Sequence, residues 1–176
     1  MWKMRNKFLV YLMLTLFVML GGRCLASAQP FEKVPEKLQA ALFIKVLAMS
    51  KEISGGDDIS IHVVGSPAAA AEFRKAIGRK IGKSKLAEVS ESDGIPLDRP
   101  VALYIGDKAQ SEELIQYCRA NQVLSMTGIP DLVPQGVTLG AGTSEDKLKV
   151  LLNGIASVEE KITWNPTLYK ISKLYK

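Results

Sequence analysis

"ISIHVVGSPAAAAEFRKAI", residues 59–77, decides the fold. Its first half, Ile59 to Val64, is a β-branched run of the kind that forms a buried strand. Gly65 ends the run, Ser66 is placed to cap a helix, and Pro67 suits the first helical position. The alanine-rich segment that follows has no breaker before Gly78. A strand that feeds straight into a helix is half of a βαβ unit, so this stretch points to an α/β fold.

The flanking sequence extends the alternation. Upstream, "PEKLQAALFIKVLAMSKEI", residues 35–53, reads as an amphipathic helix with Leu38, Leu42, Ile44, Val46 and Met49 on its apolar side. Downstream, "SKLAEVS" (84–90) and "RPVALYIGD" (99–107) read as strands, and "SEELIQYCRANQ" (111–122) as a helix. "VLSMTG" (123–128) is a further strand. "QGVTLG" (135–140) and "KLKVLLN" (147–153), separated by a polar connection, suggest an antiparallel hairpin. "GIASVEEKI" (154–162) is a short helix or turn, and Asn165 caps a last helix that begins at Pro166. The expectation is a three-layer α/β sandwich. It has a mostly parallel central sheet, an antiparallel hairpin near the C-terminal edge and a C-terminal helix.

The N-terminal residues stand apart. Lys3, Arg5 and Lys7 precede an apolar run from Phe8 to Leu20, and small residues follow at Ala26-Ser27-Ala28. That is the pattern of a secretory signal peptide, residues 1–28, with cleavage expected after Ala28. The run is short for a membrane span, so an uncleaved anchor is the weaker reading. Residues 29–176 then form a single domain of 148 residues, exported to the periplasm and with no stable membrane insertion after cleavage. Four of the 23 basic residues and none of the 18 acidic ones lie in the leader, so the exported chain carries a net charge of +1. A basic footprint for nucleic acid is lacking. Cys24 leaves with the leader, and Cys118 alone cannot form an internal disulfide. It reads as a small buried apolar residue.

Motifs for catalysis or metal binding are weak. "GRKIGKS" (78–84) has three residues between its glycines where a P-loop has four, and it follows a helix. "GAGTSE" (140–145) places Glu145 where a dinucleotide fingerprint needs glycine, and reads as a hairpin turn. His62, the one histidine, sits within a strand and reads as a half-buried, hydrogen-bonded residue. Adjacent carboxylates such as Glu112-Glu113 point apart on a helix and do not share a site. No catalytic residue, metal ligand or cofactor is assigned. In an open α/β sheet a small ligand would meet the rim at the carboxyl ends of the strands, where Ser66, Asp107 and Thr127 are the candidates. The connection "TGIPDLVPQG" (127–136) offers Ile129, Leu132 and Val133 either as a lid on the core or as a docking surface, with Asp131 making a turn hydrogen bond.

The tail segments "GVTLG" (136–140), "KLKVLLN" (147–153), Ala156 and "LYKISKLYK" (168–176) form a diffuse pattern with two earlier ones. These are "LQAALFIKVLAM" (38–49) and "ISIHVVG" (59–65). Together they resemble the YfiR/HmsC-like family of exported bacterial proteins over Val34–Lys176. The resemblance implies a small non-enzymatic α/β regulator. It would bind the periplasmic part of an inner-membrane diguanylate cyclase and hold down cyclic-di-GMP and biofilm. A ligand-binding sensor or carrier subunit that feeds a sensor kinase is the alternative, and a homodimer is left open. Binding would then fall to exposed apolar residues, with Ile129, Leu132, Val133 and Trp164 as candidates. Two features depart from the family pattern: Cys118 has no partner cysteine, and "WNPT" (164–167) replaces paired serines before the last helix.

Overall fold

The computed structural model describes residues 31–176. The signal-peptide reading lies outside the described residues. Among them, no helix is long and apolar enough to cross a membrane.

An eight-stranded sheet forms the middle layer, in the order β2-β3-β1-β4-β5-β6-β7-β8. In chain order the elements are α1 (Glu36–Leu47), β1 (Asp58–Val64), α2 (Pro67–Arg74), β2 (Lys80–Ile81) and β3 (Ser84–Ser92). Then come β4 (Ala102–Ile105), α3 (Ser111–Asn121), β5 (Leu124–Thr127) and a 3₁₀ turn, Pro130–Leu132. The chain closes with β6 (Leu139–Ser144), β7 (Lys147–Asn153), α4 (Gly154–Glu159), α5 (Pro166–Ile171) and β8 (Ser172–Tyr175). Pairing is parallel from β3 through β1, β4 and β5 to β6, and again between β7 and β8. It is antiparallel only in the hairpins β2–β3 and β6–β7. The fold is thus the three-layer α/β sandwich that strand–helix alternation predicts.

The local chemistry follows the expected rules where it is strongest. Ser66 Oγ accepts the Ala69 N–H at 3.4 Å, and Pro67 starts α2. Asn165 Oδ1 accepts the Thr167 N–H at 2.9 Å, and Pro166 starts α5. Along β1, Ile59, Ile61 and Val63 face the larger core beneath α1 and α2. On the other face, Leu103 and Ile105 of β4 pack with Leu114, Ile115 and Cys118 of α3. Cys118 is fully buried and free, and burial pushes its thiol up.

Three expectations need correction. The α1 helix buries Gln39, Ala40, Phe43, Ile44, Val46 and Leu47, whereas Leu38 is 49% exposed. "GAGTSE" is not the hairpin turn: β6 runs through Ser144, and the turn is only Glu145-Asp146, both at positive φ (53° and 56°). The tail does not continue as helix, because after six residues it turns into β8, parallel to β7. Ser172 is already extended (φ −97°, ψ 156°), and its hydroxyl caps the Leu168 carbonyl, which closes the helix early. The rejected P-loop "GRKIGKS" forms the β2–β3 hairpin, with Gly82 at φ +66° in its turn.

Gln39 explains why a polar side chain sits on the inner face of α1. The Tyr104 hydroxyl donates to Gln39 Oε1 at 2.6 Å, and Gln39 Nε2 donates to the Val34 carbonyl. Phe43 and Phe73 stack on each other and meet the Tyr104 ring edge-on, with ring centroids 5.7–6.3 Å apart. Gly128 completes the fit, since a Cβ there would come within 1.9 Å of Gln39 Oε1. Gly128→Ala should therefore destabilise the protein by about 2 kcal/mol or more through forced displacement of Gln39. Tyr104→Phe should cost about 1–2 kcal/mol by leaving a buried acceptor short of a donor. Urea midpoints measure both, and an unshifted midpoint for Gly128→Ala would show that Gln39 does not occupy this niche.

Candidate functional site

The half of the sheet formed by β1 and β3 is covered unevenly. Its inner face carries α1 and α2. Among the described residues, its outer face is crossed only by the connection from β3 to β4, residues 93–101, which contains no helix. Under this connection lies a groove of about 450 Å³, lined by strand residues including Ser60, His62, Glu88 and Ser90 and by loop residues Ile95 to Pro100.

Strand register puts these polar residues together. β1 and β3 pair in parallel, but the register slips after Ile59, so that Ile59 is opposite Leu86 and Ser60 opposite Glu88. Ala87 is the extra residue of this bulge. The slip reverses which residues of β3 face outward. Glu88 comes beside Ser60, and Ser90 beside His62, all on the groove side.

His62 is 6% exposed and both ring nitrogens have partners. Nδ1 lies 2.8 Å from Ser90 Oγ, and Nε2 lies 2.8 Å from Ser92 Oγ. The hydroxyl proton of Ser92 is directed to the Gly94 carbonyl at 2.7 Å. Ser92 must therefore accept from His62, which makes Nε2 the protonated nitrogen. Nδ1 is then the acceptor for the Ser90 hydroxyl. Burial lowers the His62 pKa, with Glu88 opposing it, so the ring is neutral at neutral pH. Ser60 Oγ accepts the Val101 N–H at 3.2 Å and so holds the start of β4 against β1. Above the floor, Leu97 is fully exposed and Ile95 is 43% exposed.

The strand-end rim is assembled differently from the expectation of an open ligand site. Ser66 and Asp107 do meet: a Cβ on Gly106 would lie 2.4 Å from Ser66 Cβ, and one on Gly65 2.8 Å from Asp107 Cβ. Their polar atoms serve the backbone, however, since Asp107 Oδ1 accepts the Ala109 N–H at 3.0 Å. Thr127 is buried and both donates to the Ile105 carbonyl and accepts from the Ile129 N–H.

The connection after β5 packs down. Leu132 and Val133 are fully buried and Ile129 is partly buried against the α3 core. Asn153 Nδ2 donates to the Val133 carbonyl at 2.8 Å while Asn153 Oδ1 caps α4 through the Ala156 N–H. Gly140 gives Val133 its seat, because a Cβ there would lie 2.3 Å from Val133 Cγ2. Asp131 does not make a turn bond but pairs with Lys108 Nζ at 2.8 Å. Trp164 is buried too, and its Nε1–H donates to Ser157 Oγ at 3.0 Å. These side chains are core, so they do not form an exposed docking patch in this structure.

Sequence reasoning placed His62 on a strand but missed Ser60, Glu88, Ser90 and Ser92 as its companions. The alternation in "SIH" and "SES" was the available signal. The bulge that aligns the two segments was not readable. Among the described residues, no group of three histidine, cysteine or carboxylate side chains is placed to hold a metal ion.

A buried acid lies at the wall of a second, smaller cavity of about 270 Å³. Glu160 is fully buried, and its carboxylate accepts from the Ser125 N–H at 3.0 Å and from the Ser125 hydroxyl. Burial outweighs these bonds and pushes its pKa up to about 7. A raised folded-state pKa means that the native state holds this proton more tightly than the unfolded chain does. Its stabilising contribution is complete below the ordinary carboxyl range and is lost as pH rises through about 7. Stability should fall by up to about 3 kcal/mol between pH 4.5 and 8 from this group. Glu160→Gln should flatten that part of the profile, as read by urea midpoints across the range; an unchanged slope would assign the pH dependence elsewhere.

No protein-family model and no curated protein matches the chain. Among solved structures, it is similar to the crystal structure of a conserved domain protein from Vibrio cholerae O1 biovar El Tor str. N16961. The TM-score is 0.54 at 12% identity, over 82% of this chain and 61% of that one. The chain thus spans about three fifths of the length of that protein, and the likeness is one of fold alone.

Proposed function

We propose that the protein is an exported regulatory binding protein, working in the periplasm without catalysis of its own. Its partner would be a membrane signalling protein. The resemblance to YfiR/HmsC-like proteins makes an inner-membrane diguanylate cyclase the leading choice, restrained so that cyclic-di-GMP and biofilm stay low. One observation carries the binding reading. The outer face of β1 and β3 exposes Leu97 and Ile95 of the covering loop above a polar floor whose histidine has both nitrogens occupied by serines. Exposed apolar side chains at the rim of a fixed polar surface suit recognition. A proton acceptor already engaged on both sides suits a rigid scaffold.

The groove itself supports a second reading, a small-ligand sensor or carrier subunit acting on a sensor kinase. Its volume of about 450 Å³ falls in the range of small-molecule sites.

Deletion in the native host tests the first reading. Cyclic-di-GMP and biofilm should rise, and complementation with Leu97→Asp should fail although that variant folds normally by circular dichroism. Unchanged cyclic-di-GMP on deletion would remove the cyclase as partner. Stabilisation of the purified protein by a metabolite, lost in Ser60→Leu, would favour the sensor reading instead.

A further inference from the structure

The sheet has two ends, and they differ in chemistry. At one end β2 is only two residues long and pairs with Ser84 and Lys85 at the very start of β3. Gly78 and Arg79 then bond to Leu86. From Ala87 to Ser92 the outer side of β3 has no backbone partner among the described residues. That is about 20 Å of open strand edge. Such an edge is a template for another chain, and natural proteins blunt it with lysine, proline or a cover. Residues 87–92 read "AEVSES", with no lysine or proline; the bulge at Ala87 and the charges of Glu88 and Glu91 are what guard this edge, and they select which strand can add to it. The opposite end is treated differently. β8 is four residues long, with Lys173 exposed on it and Lys170 and Lys176 flanking it.

The open edge carries one glutamate on each face, Glu88 in no ion pair among the described residues and Glu91 shared with Arg74, next to the lysines of the β2–β3 hairpin. The bulge at Ala87 puts Glu88 on the groove side beside Ser60, and Glu91 on the α2 side, 3.3 Å from Arg74. Glu88, Glu91 and Ala87 are all exposed. Ile95 and Leu97 line the same groove as Glu88 and Ser90. They would lie beside the groove-facing side chains of an added strand.

We infer that the outer edge of β3, residues 87–92, is a strand-addition site for a basic, extended segment of a partner protein. Backbone hydrogen bonds to the free edge supply affinity. Lysine or arginine side chains of the incoming strand meet Glu88 and Glu91, and an apolar one meets Ile95 and Leu97. This inference rests on the binding-protein reading and names the surface and the chemistry of the partner.

The probe is a blocked octapeptide that repeats lysine-lysine-valine-valine, which places lysine and valine on both faces of an added strand, mixed with the purified protein. Its controls are the glutamate–valine octapeptide of the same order and the lysine–valine octapeptide with every backbone amide N-methylated, which has no backbone N–H donor for either edge. The readouts are amide hydrogen exchange at residues 87–92 and the ring ¹⁵N signals of His62, unambiguous because it is the only histidine. Only the unmodified lysine–valine peptide should slow exchange at 87–92 and shift the His62 signals. The double variant Glu88→Lys/Glu91→Lys, at exposed positions, should weaken it at least tenfold. No protection at millimolar peptide, or equal effects from the N-methylated or glutamate peptides, would overturn the assignment. Protection at both 87–92 and 172–175 in the protein alone, with concentration-dependent self-association, would make a second copy the occupant and also overturn it. The two readings fail separately. Peptide binding with unchanged cyclic-di-GMP on deletion removes the cyclase and keeps the edge. Raised cyclic-di-GMP with no peptide binding removes the edge alone.

Discussion

A parallel sheet needs cover on both faces, and here one crossover supplies that cover without a helix. The step from β3 over β1 to β4 is made by residues 93–101 alone. A loop this short cannot bury an apolar face, so the strands beneath it must be polar on that side. They are: β1 presents Ser60 and His62, and β3 presents Glu88, Ser90 and Ser92. The groove and the engaged histidine follow from the absence of a covering helix there among the described residues, and the free outer edge of β3 follows from the shortness of β2.

Elsewhere the sheet is closed, and buried polar groups mark where elements are fixed to one another. Gln39 ties α1 to β4 and to the turn at Gly128. Asn153 ties the end of β7 to Val133, so the connection after β5 cannot lift away without losing a buried hydrogen bond. Glu160 joins the end of α4 to Ser125 in β5. Each contact would be costly to leave half-made, which favours one arrangement of the layers over its alternatives.

The sequence made the strand–helix alternation readable because its signals are local. Ser66-Pro67 and Asn165-Pro166 each carry a cap and a first-turn proline, and both helices begin where these residues stand. Signals that depend on distant partners were unreadable. Leu38 looked like core, but the face of α1 is set by Tyr104, 65 residues from Gln39, which draws the glutamine inward. "GAGTSE" looked like a turn, yet its glycines lie in a strand, where Val133 and Phe31 press against Gly140 and Gly142. The groove depends on a one-residue slip between strands about 28 positions apart, which no local pattern announces.

On the proposed function, the surface under and beside the 93–101 crossover meets a signalling partner. The most direct measurement is a photo-crosslinking residue placed at Leu97 and activated in living cells of the native host. A crosslinked product containing a membrane signalling protein should form, and should be lost when Glu88 and Glu91 are both changed to lysine. Crosslinks absent at Leu97 but formed from the exposed Val158 of α4 would contradict it and move the interface to the opposite end of the sheet.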